Sequence, residues 1–186
     1  MARRRAVFLD RDGVLNESRG GAASPHRMED LQISSEARDV VNRIQQRGFL
    51  TVIVTNQPDV ARGQMTLDDA LEISDRVRSA TGADAAYLCA HDSGDACSCR
   101  KPKPGMLLQA AREHSIDLVG SWLIGDRWVD VAAAKAAGVR SVLLEREYSW
   151  LPTSAGPPPP GLRPAHRAST LTGCVDLVLA ESVDED

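Results

Sequence analysis

The chain has 186 residues, of which 42% are hydrophobic and 26% charged, as is typical of one globular domain. A net charge of −4 excludes the overall positive field that draws proteins to nucleic acid, and no apolar stretch is long enough to span a bilayer. We therefore expect a cytoplasmic protein that binds neither nucleic acid nor membrane.

Strands and helices alternate along the first three quarters of the sequence. Strands are predicted at short apolar runs, and helices where apolar residues recur every three or four positions. In chain order these are strand 6–10, helix 34–47, strand 50–55, helix 66–80, strand 84–89, helix 104–114, strand 121–125, helix 127–137 and strand 139–144. Such alternation predicts a doubly wound, Rossmann-like α/β fold with a parallel sheet of about five strands.

The alternation stops after Trp150. Residues 151–168 contain four consecutive prolines and are predicted to form a linker or a strap over the surface. A last helix is predicted over about 169–181, with Leu171, Val175 and Leu179 on one face and an acidic end after it. We expect one domain made of a core at 1–150 that includes the loop 89–99, the linker at 151–168, and a C-terminal segment at 169–186 packed on the core.

Polar side chains follow the ends of several predicted strands. Asp10 ends the first strand and Asp12 comes shortly after it. Thr55 ends the second strand and Asn56 follows it, and Asp126 follows the fourth strand. Because the carboxyl ends of parallel strands meet at one edge of the sheet, these side chains are expected to share one crevice.

These residue types suit phosphoryl transfer. A carboxylate such as Asp10 can attack phosphorus, and Mg²⁺ held by carboxylate oxygens can offset the repulsion between the two anions. Asp12, two residues further on, can exchange protons with the leaving oxygen and with water. Thr55 and Lys101 can hold the oxygens of the transferred group. The pattern predicts an Mg²⁺-dependent phosphatase.

Three cysteines and a histidine are crowded together before Lys101. Cys89, His91, Cys97 and Cys99 have the spacing C-x-H-x5-C-x-C. Three thiolates and one imidazole make a closed tetrahedral zinc site, so we expect a structural Zn²⁺.

Four segments resemble the motifs of the haloacid dehalogenase (HAD) superfamily of phosphatases. They are AVFLDRDGVLN, IVTNQ, CRKPKPGM and LIGDRWVDVAAAKAAG. The finer similarity is to the branch of D-glycero-D-manno-heptose-1,7-bisphosphate phosphatases and histidinol phosphatases, and it covers about residues 6–144. The resemblance implies an uncapped HAD-like core, with Asp10 as the nucleophile that forms an aspartyl-phosphate and Asp12 as the general acid and base.

The resemblance also implies ligands and contacts. Magnesium would be held by the side chains of Asp10 and Asp126 and by the backbone carbonyl of Asp12. The implied phosphate and substrate contacts are Thr55, Lys101, Arg100, Asn56 and Arg127, and the implied zinc loop is the one described above. In the glycine-rich loop after the first motif, we expect Arg19 to contact the phosphate or the sugar.

Several substrates remain open at this point. The leading hypothesis is removal of the 7-phosphate from D-glycero-D-manno-heptose 1,7-bisphosphate. Histidinol phosphate, a substrate of secondary metabolism, and a phosphosugar-binding module without turnover are alternatives, because Pro58 and Asp59 stand where close relatives have Ser-Gly. Retention of both Asp10 and Asp12 argues against a module that only binds. The expected partner is a small phosphorylated molecule, and the expected state is a monomer.

Overall fold

The structure is a computed structural model that describes residues 4–18 and 24–182. Its centre is a six-stranded sheet in the order β3-β2-β1-β4-β5-β6, and all neighbouring strands are parallel. The strands are β1 (Ala6–Leu9), β2 (Leu50–Asn56), β3 (Ala85–Cys89), β4 (Trp122–Gly125), β5 (Arg140–Leu144) and β6 (His166–Ala168). The predicted doubly wound fold is therefore confirmed.

Helices cover both faces of the sheet. They are α1 (Ala37–Gln46), α2 (Pro58–Ala61), α3 (Leu67–Thr81), α4 (Gly105–His114), α5 (Trp128–Ala137) and α6 (Leu171–Glu181). Side chains alternate across β1, so that Val7 and Leu9 pack with α1 and α6, while Ala6 and Phe8 pack with α4 and α5. This two-sided burial explains why the central strands β1 and β4 are continuously apolar.

The sheet has six strands rather than about five, and the difference lies in the segment predicted to be a linker. Residues 151–165 form no helix or strand, but His166–Ala168 then pairs with β5 as a sixth strand. Three residues are too few for a hydrophobic alternation to be visible in the sequence.

Two helix starts also differ from the prediction. The sequence predicts the first helix from residue 34, where Ser34 or Ser35 could form the N-cap, but α1 begins at Ala37 and its N-cap, Glu36, makes no capping hydrogen bond. The Glu36 carboxylate instead accepts hydrogen bonds from the backbone N and the Oγ1 of Thr172, which joins α1 to α6. The last helix begins at Leu171, where the Thr170 side chain accepts a hydrogen bond from Gly173 N. The start of α6 thus has a local cap from Thr170 and a second hydrogen-bond acceptor, Glu36, that is distant in sequence.

The strand order reverses at the centre of the sheet. From β1 the chain proceeds outward through β2 and β3, and it then returns to the other side of β1 to build β4, β5 and β6. Ligands of open α/β sheets bind beyond the carboxyl ends of the strands at such a switch point, which here lies between β1 and β4. In the described part of the chain, no additional domain covers this edge. Across residues 4–18 and 24–182, no helix has the length and apolarity needed to cross a membrane.

Candidate active site

A cavity of about 350 Å³ opens at the switch point. The first strand continues its pairing there, because Asp10 N donates to the carbonyl of Ile124 at 2.9 Å. Among the residues that line the cavity are eight of the predicted site residues: Asp10, Asp12, Thr55, Asn56, Arg100, Lys101, Asp126 and Arg127. Arg19, the remaining predicted contact, lies outside the described residues, as does the acidic end of the chain.

Three buried carboxylates meet at the base of the cavity. Asp10, Asp126 and Asp130 each offer an oxygen, and these oxygens lie within 4.8 Å of one another. Asp126 is 2% exposed, and its Oδ1 is buried without a hydrogen-bond partner. Carboxylate oxygens grouped in this way are the ligands that Mg²⁺ prefers, and an orphaned buried oxygen is costly unless a cation meets it. The cluster therefore fits a hard divalent cation.

The Lys101 ammonium lies inside the same cluster. Its Nζ is 2.7 Å from Asp10 Oδ1 and 2.6 Å from Asp130 Oδ1, and it donates to the carbonyl of Val54 at 2.9 Å. The backbone of Lys101 is fixed as well, because the Asn56 amide donates to its carbonyl and accepts from its N–H, each at 3.0 Å. A buried cation is thus held rigidly beside the predicted nucleophile.

The acids of the cluster titrate unusually. Burial raises the pKa of Asp10 to about 8. The charge of Lys101 opposes this rise, and the negative charges of Asp130 and Asp126 add to it. Burial and the charge of Asp130 raise the pKa of Asp126 to about 6. Burial alone would lower the pKa of Lys101, but Asp10 and Asp130 raise it above its usual value. Crowded carboxylates of this kind are typical of a site built around a cation.

The Asp12 carboxylate faces a different set of partners. It accepts hydrogen bonds from the fully buried Arg11 at 3.1 Å, from Asn16 at 3.0 Å, from Ser24 at 2.8 Å and from Gln57 at 2.7 Å. Burial would raise the pKa of Asp12, but the charge of Arg11 and these hydrogen bonds outweigh burial and lower it. Asp12 is therefore a carboxylate in this arrangement.

Gly13 permits the close approach of the first and fourth motifs. Its φ is +84°, and a Cβ at this position would lie 2.0 Å from Asp126 Oδ2. Only glycine accepts both the left-handed backbone and this contact.

The four predicted zinc ligands are brought together beside the crevice. Cys99 Sγ lies 3.1 Å from Cys89 Sγ and 3.3 Å from His91 Nδ1, and Cys97 Sγ lies 3.8 Å from Cys89 Sγ. Ligand atoms around a tetrahedral zinc, with sulfur about 2.3 Å from the ion, are separated by similar distances. Three thiol groups and one imidazole are donors that Zn²⁺ prefers, and four donors are the number that a structural zinc site needs.

The predicted zinc loop and the segment predicted to be a linker meet at Arg100. Its Nη1 donates to the carbonyl of His91 at 3.1 Å, and its Nη2 donates to Ser154 Oγ at 2.9 Å. The residues predicted to be a linker thus form part of the crevice wall, including Thr153 and Ser154.

Sequence reasoning did not assign several residues that hold the site. Asp130 carried a signal, because it stands four residues after Asp126 on the helix that opens at the fourth strand, and Gly125 lies close enough that a Cβ there would meet Asp130 Cβ at 2.3 Å. Gln57, which donates to both Asp12 and Thr55 Oγ1, lies in the predicted second motif. Tyr148 and Ser154, by contrast, follow the last motif and carry no local signal.

Comparisons with known proteins point in one direction. A family model described as HAD-hydrolase-like matches residues 98–170. A D-glycero-beta-D-manno-heptose-1,7-bisphosphate 7-phosphatase of Helicobacter pylori is 33% identical over 79% of this chain and 90% of its own length. The Yersinia pestis protein of the same name is 35% identical over 76% of this chain and 80% of its own.

A solved structure agrees with these relatives. The D,D-heptose 1,7-bisphosphate phosphatase of B. bronchiseptica, complexed with magnesium and phosphate, superposes with a TM-score of 0.77. It is 28% identical, and the match covers 95% of this chain and 99% of that chain.

Proposed function

We propose that this chain, which belongs to the heptose-bisphosphate phosphatase branch of the HAD superfamily, hydrolyses a sugar phosphate through an aspartyl-phosphate on Asp10. The observation that carries the proposal is the cluster at the switch point, where Asp10, Asp126 and Asp130 share one buried space with Lys101. A phosphatase needs a nucleophile, a cation and a phosphate-binding ammonium within reach of one phosphoryl group, and this cluster offers them together.

Asp10, Asp126 and the backbone carbonyl of Asp12 would hold Mg²⁺, with Asp130 beside them. When bound, Mg²⁺ supplies the positive charge that lets an anionic phosphate approach three carboxylates. The orphaned Oδ1 of Asp126 supports this assignment, because a buried carboxylate oxygen without a hydrogen-bond partner is costly unless a cation meets it. Burial is the main cause of the raised pKa of Asp10, and the charges of Asp130 and Asp126 add to it; a cation bound among these carboxylates would favour the ionised form of Asp10.

Asp10 performs the first step. One of its carboxylate oxygens forms a bond to phosphorus while the bond between phosphorus and the sugar oxygen breaks. Lys101 and Thr55 bind the oxygens of the transferred group and stabilise the charge that spreads over them. The leaving oxygen takes a proton from Asp12, and the negative charge of a bound phosphate favours that proton by raising the pKa of Asp12.

Asp12 also performs the second step. As a carboxylate it removes a proton from the attacking water, whose oxygen bonds to phosphorus and releases Asp10. Arg11 and Gln57 keep Asp12 at the mouth of the site, on the side of Thr55. The products are inorganic phosphate and the dephosphorylated sugar.

The substrate that we propose is D-glycero-D-manno-heptose 1,7-bisphosphate, from which the 7-phosphate is removed. The names of the relatives support it, and so does the crevice wall, where Arg100 and Arg127 can contact the rest of an anionic sugar. Zinc at the four-ligand loop would fix Cys99 and thereby the Arg100–Lys101 segment. Asn56 supports Lys101 and lines the crevice, and Arg19 is proposed as a further contact.

We also propose that the protein acts as a monomer in the cytoplasm. The described part of one chain supplies the nucleophile, the carboxylates and the phosphate-binding ammonium by itself, so the proposed chemistry needs no residue from a second subunit. A zinc site with three thiolates is stable in a reducing compartment, where disulfides are rare.

The test has two parts. Phosphate release is measured on the heptose bisphosphate, on histidinol phosphate and on hexose bisphosphates, and we expect the highest kcat/KM on the heptose. Asp10→Asn should abolish turnover, whereas the matched control Asp75→Asn, on the exposed face of α3, should not. Acid-quenched Asp12→Asn should carry one phosphoryl group on Asp10 by mass spectrometry. Turnover by pure Asp10→Asn protein would refute the nucleophile, and a preference for histidinol phosphate would refute the substrate.

A further inference from the structure

The segment after β5 holds Asp126 from outside the motifs. The Tyr148 hydroxyl donates to Asp126 Oδ2 at 2.7 Å, and the Ser149 hydroxyl donates to the backbone carbonyl of Asp126 at 2.6 Å. Two adjacent residues thus fix both the side chain and the backbone of an acid that lies 22 residues earlier in the chain.

The hydrogen bond from Tyr148 distinguishes the two oxygens of Asp126. Oδ2 is occupied by the hydroxyl and also lies against Gly13, where a Cβ would be 2.0 Å away. Oδ1 is buried and has no hydrogen-bond partner. A carboxylate with one oxygen held in this way presents the other oxygen, which has no hydrogen-bond partner, to a cation in a fixed orientation.

Tyr148 is itself held in place. The Arg127 guanidinium lies 4.7 Å from the centre of its ring. The neighbouring Ser149 is fully buried, its carbonyl accepts from Trp128 N at 2.9 Å, and its hydroxyl accepts from Arg146 N at 2.9 Å. Tyr148 therefore lies in a turn that hydrogen bonds hold in place, and its hydroxyl is presented to Asp126 in a fixed position.

We propose that Tyr148 is a positioning residue for the cation: by occupying Oδ2 of Asp126 it presents Oδ1 to Mg²⁺. The inference deepens the proposed function and rests on it only for the identity of the ion. Partners that orient a metal ligand in this way typically change metal affinity or activity by about 10- to 100-fold when removed.

The chain provides a matched control for removing this hydroxyl. It contains two tyrosines, and the second, Tyr87, also donates its hydroxyl to a carboxylate, that of Glu113 at 2.5 Å. This pair joins β3 to α4 and does not line the crevice. Tyr148→Phe and Tyr87→Phe thus remove the same group from the same kind of bond at two places.

Calorimetric titration with Mg²⁺ alone, without substrate, tests the proposal. Tyr148→Phe should bind Mg²⁺ about tenfold more weakly than the wild type, whereas Tyr87→Phe should bind it equally well. In activity assays the Mg²⁺ concentration for half-maximal rate should rise by the same factor in Tyr148→Phe, and kcat at saturating Mg²⁺ should recover. Equal Mg²⁺ affinity in the two variants would overturn the proposal.

A second measurement does not require Tyr148→Phe to fold. In Tyr87→Phe protein Tyr148 is the single tyrosine, so a ¹³Cζ-tyrosine NMR spectrum reports its hydroxyl directly. Mg²⁺ should shift that signal as Oδ1 of Asp126 takes the ion, and an unchanged signal at saturating Mg²⁺ would refute the contact. If Mg²⁺ binding depends on Tyr148 but no phosphate ester is hydrolysed by the wild type, the positioning role stands and the proposed function fails.

Discussion

Replacing Gly13 with alanine tests how closely the first and fourth motifs must approach each other. The new Cβ would lie 2.0 Å from Asp126 Oδ2 and 2.9 Å from its Cγ, whereas an ordinary contact is 3.4 Å or more. The carboxylate must therefore retreat by about 1.4 Å. A displacement of about 1 Å at a reacting centre costs on the order of 10²-fold in rate, so we expect kcat/KM to fall by about that factor.

Gly48→Ala separates this displacement from backbone strain. Gly48 has a φ of +80°, close to that of Gly13, but nothing lies within 4 Å of its added Cβ. The left-handed backbone costs an alanine about 1–2 kcal/mol, which lowers the melting temperature of a chain of this size by about 2–8 °C. Gly48→Ala should show that loss with full activity.

Gly13→Ala should lose more stability than the control, because it also disturbs the Tyr148–Asp126 hydrogen bond, a kind of bond worth about 1.5–3 kcal/mol when one partner is charged. The assays are thermal unfolding and steady-state phosphate release for both variants. If Gly13→Ala lost no more stability than Gly48→Ala and kept its activity within about threefold, the described contact between Gly13 and Asp126 would be refuted.

Three further predictions concern other parts of the molecule. Lys101→Met should reduce kcat/KM by about 10³-fold because it removes the phosphate-binding cation, while Lys135→Met, at an exposed position of α5, should be neutral; comparable rates would contradict this role. Cys97→Ser should lose zinc by elemental analysis and unfold at lower temperature, unlike the adjacent Ser98→Ala, and a zinc-free wild type would end the zinc assignment. Burial alone would raise the pKa of Asp84, but hydrogen bonds from Thr51 and Gln45 outweigh burial and lower that pKa, so the carboxylate stabilises the fold at pH values above its unfolded pKa of about 3.9. The difference in melting temperature between wild type and Asp84→Asn should therefore be widest near pH 7 and should shrink as the pH falls below about 4. A difference that does not change with pH would contradict this prediction.

The sequence was sufficient to predict the fold and the position of the crevice, because both depend on local patterns. Buried parallel strands are continuously apolar, and Asp10 and Asp126 stand where two such runs end. The proposed zinc ligands could be found from their residue types, their closeness in sequence and the family resemblance, and the structure brings the four side chains together. Asp130 could have been added by the same reasoning, since an acid one turn into a helix returns to the strand end that precedes the helix.

The parts that could not be predicted depend on contacts between distant segments. The strand β6 exists because the chain returns beside β5, and three residues do not encode that pairing. Ser154 reaches Arg100 across 54 residues of sequence, and Tyr148 reaches Asp126 only because the turn after β5 folds back on the carboxyl end of β4. Asn56 was expected at the substrate, but its amide is paired with the backbone of Lys101.

The pairing of Asn56 with Lys101 has a consequence for how this enzyme can diversify. The Asn56 side-chain amide both donates to and accepts from the backbone of Lys101. It thus makes the same pair of hydrogen bonds that a neighbouring strand would make, although Lys101 itself lies outside the strands. The lysine is thereby tied directly to the end of β2 by a link that does not pass through the loops on either side, and zinc at Cys99 would hold the same segment from a second point. Insertions or substitutions in those loops can alter which sugar is admitted while the ammonium stays beside the nucleophile.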